Sequence, residues 1–364
     1  MKKVIHVGLD VHQRSITIAE LDDSPGEPVV REIPNAPSAI RKLFSKLTSK
    51  GELRCCYEAG PCGFELYRLL SEMGICCEVI APALIPKRAG DRVKTDRRDA
   101  VKLARLYRAG ELTAIRVPDR EQEGVRDLIR AWEDVRKDLV AAKHRLAKFL
   151  LRHGRIFSEG KKAWTQKHWK WLRAQQFEGA AELTTFEHYV VQVEHLQERR
   201  AALEKEIHAF AQTDPYRARV ERLSALRGIS TLGAMVLLGE LLDLKRFESP
   251  RKLMAFVGIT PSEYSSGGHR NRGGITKTGN SHVRRMLVEA AWSYRHRPAL
   301  GPRIRRLLAH QPADVGAIAK KAQQRLHSRY TRLVSHGKKP QVAVTAVARE
   351  LSGFIWAMEN RRAA

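Results

Sequence analysis

Apolar positions come in short bursts over the first third of the chain and then change period. Val4 to Val11 and Ser15 to Leu21 are apolar, β-branched runs and Pro28 to Ile33 is a third, so the chain is expected to open as a three-stranded meander. Ser38 to about Leu47 sets Ile40, Leu43, Phe44 and Leu47 at helical spacing. Leu53 to Tyr57 predicts a strand, the Gly60-Pro61-Cys62-Gly63 turn a break, and Phe64, Leu66, Leu69 and Leu70 a second helix. Cys76 to Ile80 is another strand, ended by Pro82. Thr95 then caps a helix running to about Ala109 and stopped by Gly110.

Three antiparallel strands followed by two right-handed crossovers give the strand order of a ribonuclease-H-like α/β fold. From residue 119 the pattern differs. Val125, Leu128, Trp132, Val135, Leu139, Ala142, Leu146 and Phe149 step alternately by 3 and 4 residues, a coiled-coil period. Phe186, Tyr189, Val193, Leu196, Leu203, Ile207 and Phe210 keep the same beat, with Arg200 at one seam position. An antiparallel helical coiled-coil arm is expected, serving as an arm or a dimerisation device. Between the seams Trp164, His168 and Trp171 share a helical face, either for packing or as a nucleic-acid grip. Beyond Glu221 the chain reads as helices with Gly-rich breaks. Leu226 to Ala234 resembles the turn of a helix-hairpin-helix, with Ser230 in place of its second glycine. Ser249-Pro250 starts a helix ending at Gly258, a polar Gly-rich loop spans Thr260 to Asn280, and three basic helical stretches follow. The expected fold class is therefore α/β plus α, with boundaries at 1–115, 116–215 and 216–364.

Charge sharpens this division. The 364 residues carry a formal net charge of +26. Residues 245–364 hold 24 Lys and Arg against 6 Asp and Glu, a net of +18, whereas 1–115 and 116–244 are each only +4. A basic half of that kind points to a polyanion, most simply nucleic acid. With 43% apolar and 29% charged residues the chain is globular and not disordered. An acid at position 10 comes too early for a secretory signal, and the longest apolar stretch, Gly233 to Leu242, is broken by Glu240 and too short for a bilayer. No membrane association is expected, and a cytoplasmic location fits. Cys55, Cys56, Cys62, Cys76 and Cys77 are odd in number and lack C-x-x-C spacing, so they read as reduced apolar residues, one of each adjacent pair in a core.

Four acids fall where this topology would gather metal ligands. Asp10 lies near the end of the first strand, Glu58 just past the fourth, and Asp96 and Asp99 open the following helix on one face. Carboxylates at converging strand ends can hold two divalent cations about 4 Å apart, and Mg²⁺ prefers such an oxygen shell. Each acid also has a plainer explanation: Asp96 and Asp99 suit a helix N-terminus, Asp10 a turn, and Glu58 an ion pair with Arg54. The second constellation is the run from Pro261 to Asn280. Its Gly-rich backbone, with Arg270, Arg272 and Lys277 and then Arg284 and Arg285, suits close approach to phosphate. Ser265 and Ser266 there are either turn formers or a nucleophile for phosphorus.

The segments "GLDVH" (8–12), "YEAGPCGFELYRLL" (57–70) and "KTDRRDAVKLARL" (94–106) resemble the DEDD-type transposases of bacterial insertion sequences, the insertion-sequence one-ten family related to pilin-gene invertases. "LRGISTLGAMVLLGEL" (226–241), "FVGITPSEYSSGGHRNRGGITKTGNSHVRRMLVEAA" (256–291) and "RYTRLVSHGKKPQVAVTAVARELSGFIWAM" (329–358) are similar to the second half of its members. The resemblance implies a RuvC-like N-terminal domain whose acidic tetrad is Asp10, Glu58, Asp96 and Asp99, with Mg²⁺ bound. It also implies a C-terminal transposase domain whose Ser-Gly serine is Ser266, with Ser265 adjacent. Serine would attack the DNA backbone of donor and target in a composite site across subunits of a homodimer or homotetramer. A noncoding bridge RNA guides many members, which act at the bacterial nucleoid. A metal-dependent Holliday-junction-type nuclease without a covalent serine intermediate is the alternative, and a non-cleaving nucleic-acid scaffold a third.

Overall fold

One sheet carries β1 (Val4–Val11), β2 (Ser15–Leu21), β3 (Val29–Pro34), β4 (Glu52–Glu58) and β5 (Cys76–Ile80) in the spatial order β3-β2-β1-β4-β5. The computed structural model describes residues 3–22, 26–86, 95–160, 162–266 and 269–360, and the contacts divide the chain into two units, Met1–Pro118 and Asp119–Ala364. In the first unit β2 pairs antiparallel with β1 and β3, while β4 lies parallel to β1 and β5 parallel to β4. Helices α1 (Pro37–Thr48) and α2 (Glu65–Glu72) make the two crossovers, and α3 (Asp96–Arg108) follows β5. This is the strand order expected from the apolar pattern.

Both faces of the sheet are covered. Leu9, Ile16, Ile18 and Cys55 pack with Phe44 and Leu47 of α1 and Leu66 and Leu70 of α2. On the other face Cys56 and Ile80 meet Leu103, and Ala19 and Leu21 meet Ala100 and Ala104, all from α3. Strand neighbours point to opposite faces, so Cys55 and Cys56 are both buried, where one of the two was expected in a core. In the second pair only Cys77 is buried and Cys76 is exposed. Burial pushes the Cys77 thiol up to about 12, which makes it a poor nucleophile at neutral pH.

In the second unit α4 (Arg120–Arg152), α5 (Gln166–Arg173) and α6 (Ala180–Phe210) precede α7 (Arg217–Ser224), α8 (Thr231–Leu241) and α9 (Pro250–Val257). A hairpin of β6 (Pro261–Ser266) and β7 (His269–Ile275) then leads to α10 (Ser281–Ala291), α11 (Pro302–Ala309), α12 (Ala313–Ser335) and α13 (Pro340–Asn360). Helices α4 and α6 run antiparallel: Trp132 Nε1 donates to Glu204 Oε1 (3.0 Å), and further along the pair Phe149 stacks on Phe186 (6.5 Å between centroids). Val135, Leu139, Ala142, Leu146 and Phe149 are buried there with Val193 and Leu196. Trp164 and Trp171 pack around the buried His168, within the same cluster.

Two sequence expectations need correction. Thr260 to Asn280 is not a loop: much of it pairs as β6 and β7, whose outer residues are exposed on both faces and so show no apolar alternation. The C-terminal part holds four α-helices where three basic stretches were expected. The last of them, α13, is largely buried, with Val344, Val347, Leu351 and Ile355 in the core. No helix among the described residues is long and apolar enough to cross a membrane.

Candidate metal centre and serine hairpin

Gly8 determines how closely α3 approaches β1. A Cβ there would overlap the Ala100 carbonyl oxygen and the Ala104 amide nitrogen, so only glycine permits this helix–strand contact. Residues two apart on a strand share a face, so Asp10 follows Gly8 towards the start of α3. Thr95 caps that helix by accepting from the Arg98 amide (3.3 Å), which places Asp96 and Asp99 in the first turn. The His12 Nε2 atom lies 3.3 Å from Asp10 Oδ2 and 3.6 Å from Asp96 Oδ1. One ligand atom from each of these three residues falls within 4.8 Å of the others. Burial raises the Asp10 carboxyl above its ordinary value; His12 opposes this, and the charges of Asp96 and Asp99 add to it. Such mutual repulsion among carboxylates is relieved by a cation.

Glu58 is the last residue of β4, at the strand end beside Asp10, since Leu9 pairs with Tyr57 in parallel register. It is exposed and is not among the residues whose ligand atoms converge on Asp10. Arg54, its candidate ion-pair partner, bonds Glu52 instead (3.1 Å). His12 escaped the sequence reading, although its i, i+2 spacing from Asp10 was a signal for it.

The serines sit at the far end of the β6/β7 hairpin, where Ser265 pairs with Arg270 and Ser266 with His269. Gly267, Gly268 and the Arg270 side chain lie outside the described residues. Both serines are exposed, and Ser265 Oγ donates to Glu263 Oε1 (2.9 Å). Arg272 Nε donates to Glu263 Oε2 (3.2 Å), and these bonds, Ser265's first, hold the Glu263 carboxyl below its ordinary value. The base of the hairpin is closed by backbone contacts that exclude side chains: a Cβ at Gly258 would overlap the Thr278 carbonyl, and one at Gly279 the Phe256 carbonyl. Lys277 is exposed at a positive φ of 57°.

The two remaining candidate phosphate contacts have partners within the protein. Arg284 donates to the Val257 carbonyl (2.8 Å), and Arg285 pairs with Glu289 (2.8 Å) and with Glu133 of α4. Glu133 also bonds His282 and is almost fully buried. Asn280 caps α10 at the Val283 amide (3.0 Å) and donates to Glu240 Oε2 (2.7 Å), which Arg130 grips with two further bonds (2.8 and 3.1 Å). These buried carboxylates were not legible in the sequence.

Asp10 and Asp96 thus meet at one end of a five-stranded sheet, in a chain of formal net charge +26. A family model described as "Transposase", the DEDD model of the IS110 group, matches residues 7–154. A second, described as "Transposase IS116/IS110/IS902 family", matches residues 220–307. The chain is 44% identical to a putative transposase, y4qE, of Sinorhizobium fredii, over 97% of this chain and 87% of that one. It is 37% identical to the transposase of insertion sequence element IS1533 from Leptospira borgpetersenii, over 93% and 99% respectively. A probable family 20 transposase of Pseudomonas aeruginosa is 26% identical over 86% of this chain and 92% of its own length. The chain belongs to the IS110 family of insertion-sequence transposases.

Proposed function

We propose that this transposase cleaves and exchanges DNA strands with Mg²⁺ held by Asp10, Glu58, Asp96 and Asp99 and with Ser266 as nucleophile. The convergence of Asp10 and Asp96, with Asp99 one turn further along α3, carries this reading. Bound cations would stabilise charge on the phosphoryl oxygens and on the leaving oxygen. Serine attack forms a phosphoserine ester and breaks one P–O bond of the backbone, leaving the other strand end as a hydroxyl that takes up a proton. The exposed hairpin suits this role, because its Gly-rich backbone can approach a phosphate without side-chain obstruction. A bridge RNA pairing with donor and target DNA would supply sequence specificity, leaving the protein to grip backbones. On this reading residues 1–115 form the RuvC-like domain, 116–215 the coiled-coil arm joining subunits of a dimer or tetramer, and 216–364 the serine domain, all acting on DNA in the cytoplasm. One observation favours a variant: the Ser265 hydroxyl donates to a carboxylate, Glu263, which stands where a proton acceptor would, although its bond from Arg272 weakens it as a base.

Trapping separates these readings. With a plasmid carrying the element's ends, the wild-type protein should give an SDS-stable protein–DNA adduct, which Ser266→Ala and Asp10→Asn both abolish. An adduct that survives Ser266→Ala but not Ser265→Ala moves the nucleophile by one residue. Cleavage without any adduct would establish the nuclease alternative. DNA affinity should also fall by about 10³–10⁵ between 50 and 200 mM salt, as expected when roughly 6–10 phosphates are neutralised. A flat salt response in a binding titration would count against the basic half as the grip.

A further inference from the structure

We infer that His12 is itself a ligand of the acidic centre, and that its imidazole tilts the site from Mg²⁺ towards Mn²⁺. The inference rests on the reading of Asp10 and Asp96 as metal ligands and adds a nitrogen donor to it. In an octahedral shell with bonds of about 2.1 Å, adjacent ligand atoms lie about 3.0 Å apart and opposite ones about 4.2 Å. The His12 Nε2 separations of 3.3 Å from Asp10 Oδ2 and 3.6 Å from Asp96 Oδ1 are close to adjacent positions on one ion. A slight contraction of the three side chains would seat it.

The placement of His12 is fixed by the fold. It lies in the turn between β1 and β2, where its amide donates to the Ser15 carbonyl (2.9 Å) and its carbonyl accepts from Asn35 Nδ2 (2.8 Å). His12 directly follows β1, and its Nε2 lies 3.6 Å from Asp96 Oδ1, which sets the imidazole at the start of α3. A surface ion pair would need one carboxylate; this ring faces two, supplied by different elements. An all-oxygen site suits Mg²⁺, whereas imidazole belongs to the donor sets of transition metals, and Mn²⁺ accepts both kinds.

Mn²⁺ binding to the full-length protein without DNA tests this by electron paramagnetic resonance. The Mn²⁺-loaded wild type should show spin-echo modulation from a coordinated imidazole nitrogen, which changes on ¹⁵N-histidine labelling and disappears in His12→Ala. That variant should bind Mn²⁺ about tenfold or more weakly, and less Mg²⁺ should then be needed, relative to wild type, to displace the Mn²⁺ that remains. Bound Mn²⁺ without nitrogen coupling would overturn the inference, as would a His12→Ala variant that binds as tightly as wild type or tighter, the behaviour of a mere placeholder cation. Asp10→Asn separates the two levels. If it too binds Mn²⁺ like wild type, or if wild type binds none, the acidic centre itself is wrong; if it loses Mn²⁺ while His12→Ala keeps it, only the histidine assignment falls. Should His12→Ala not fold, His12→Gln takes its place in both measurements.

Discussion

Gly8→Ala is expected to reduce strand cleavage by at least about 100-fold while removing no functional group. The new methyl would occupy the space of the Ala100 carbonyl and the Ala104 amide, so α3 must move away from β1. Backbone cannot yield as a flexible side chain does, and overpacking of this kind costs about 1–3 kcal/mol. The functional loss is larger than that cost suggests, because α3 carries Asp96 and Asp99 while β1 carries Asp10. A displacement on the order of 1 Å between catalytic groups is enough for a 100-fold loss. Melting temperature, Mn²⁺ affinity and cleavage rate should be measured together. Gly124→Ala is the control: it lies within α4, a Cβ there meets nothing within 4 Å, and the exchange should stabilise by about 0.5–1 kcal/mol. Wild-type cleavage by Gly8→Ala would show that the α3–β1 contact does not set the centre.

Elements that bury one face, or both, were legible in the sequence, and elements that bury none were not. Cys76–Ile80 has the bounds its apolar run predicts, and Thr95 and Gly110 punctuate α3 as cap and stop. Asp10, Asp96 and Asp99 could be located for that reason: they are fixed by the ends of regular elements. The β6/β7 hairpin lacks that signal, because Glu263 to Ser266 are all exposed and its only strong cues are glycines, which also mark loops. At the base of α4 the heptad reading slips. Ile129 is buried and Leu128 only partly so, because that turn packs into the helical core around α8 as well as against α6. A single repeat cannot anticipate a second partner. The same slip hides Glu133, a charged residue one position beyond the seam at Trp132, whose burial makes sense only once His282 and Arg285, some 150 residues later, are brought to it.

Arg285→Ala is accordingly expected to act on stability before it acts on DNA. Glu133 is 1% exposed, and removing the Arg285 guanidinium leaves a buried carboxylate with only the His282 ring as its partner. Breaking a buried pair on one side costs about 3–5 kcal/mol, and the value here should fall towards the lower end because His282 remains. Replacing both members, Glu133→Leu with Arg285→Met, should restore much of the loss, since a well-packed apolar pair needs no desolvation of charge. Acidity reports on the same network. Burial pushes the Glu133 carboxyl up, but bonds from His282 and Arg285 outweigh it and hold the group below its ordinary value. Glu240 behaves likewise, with Arg130 and Asn280 outweighing burial. A carboxyl depressed in the folded state contributes stability that is fully present above its unfolded value of about 4.3. That stability is lost as pH falls through the lower folded value. Chemical denaturation of the wild type should therefore weaken steeply below about pH 4, and Glu133→Gln should flatten that slope while lowering stability at pH 7. If instead Arg285→Ala keeps wild-type stability and lowers the salt dependence of DNA binding by about one phosphate contact, Arg285 is a phosphate ligand and its bond to Glu133 is incidental. Because Asn280, which donates to Glu240, both caps α10 and follows the closed base of the serine hairpin, a loss at Glu240 should also loosen the hairpin's exit, read as faster amide exchange at Val283.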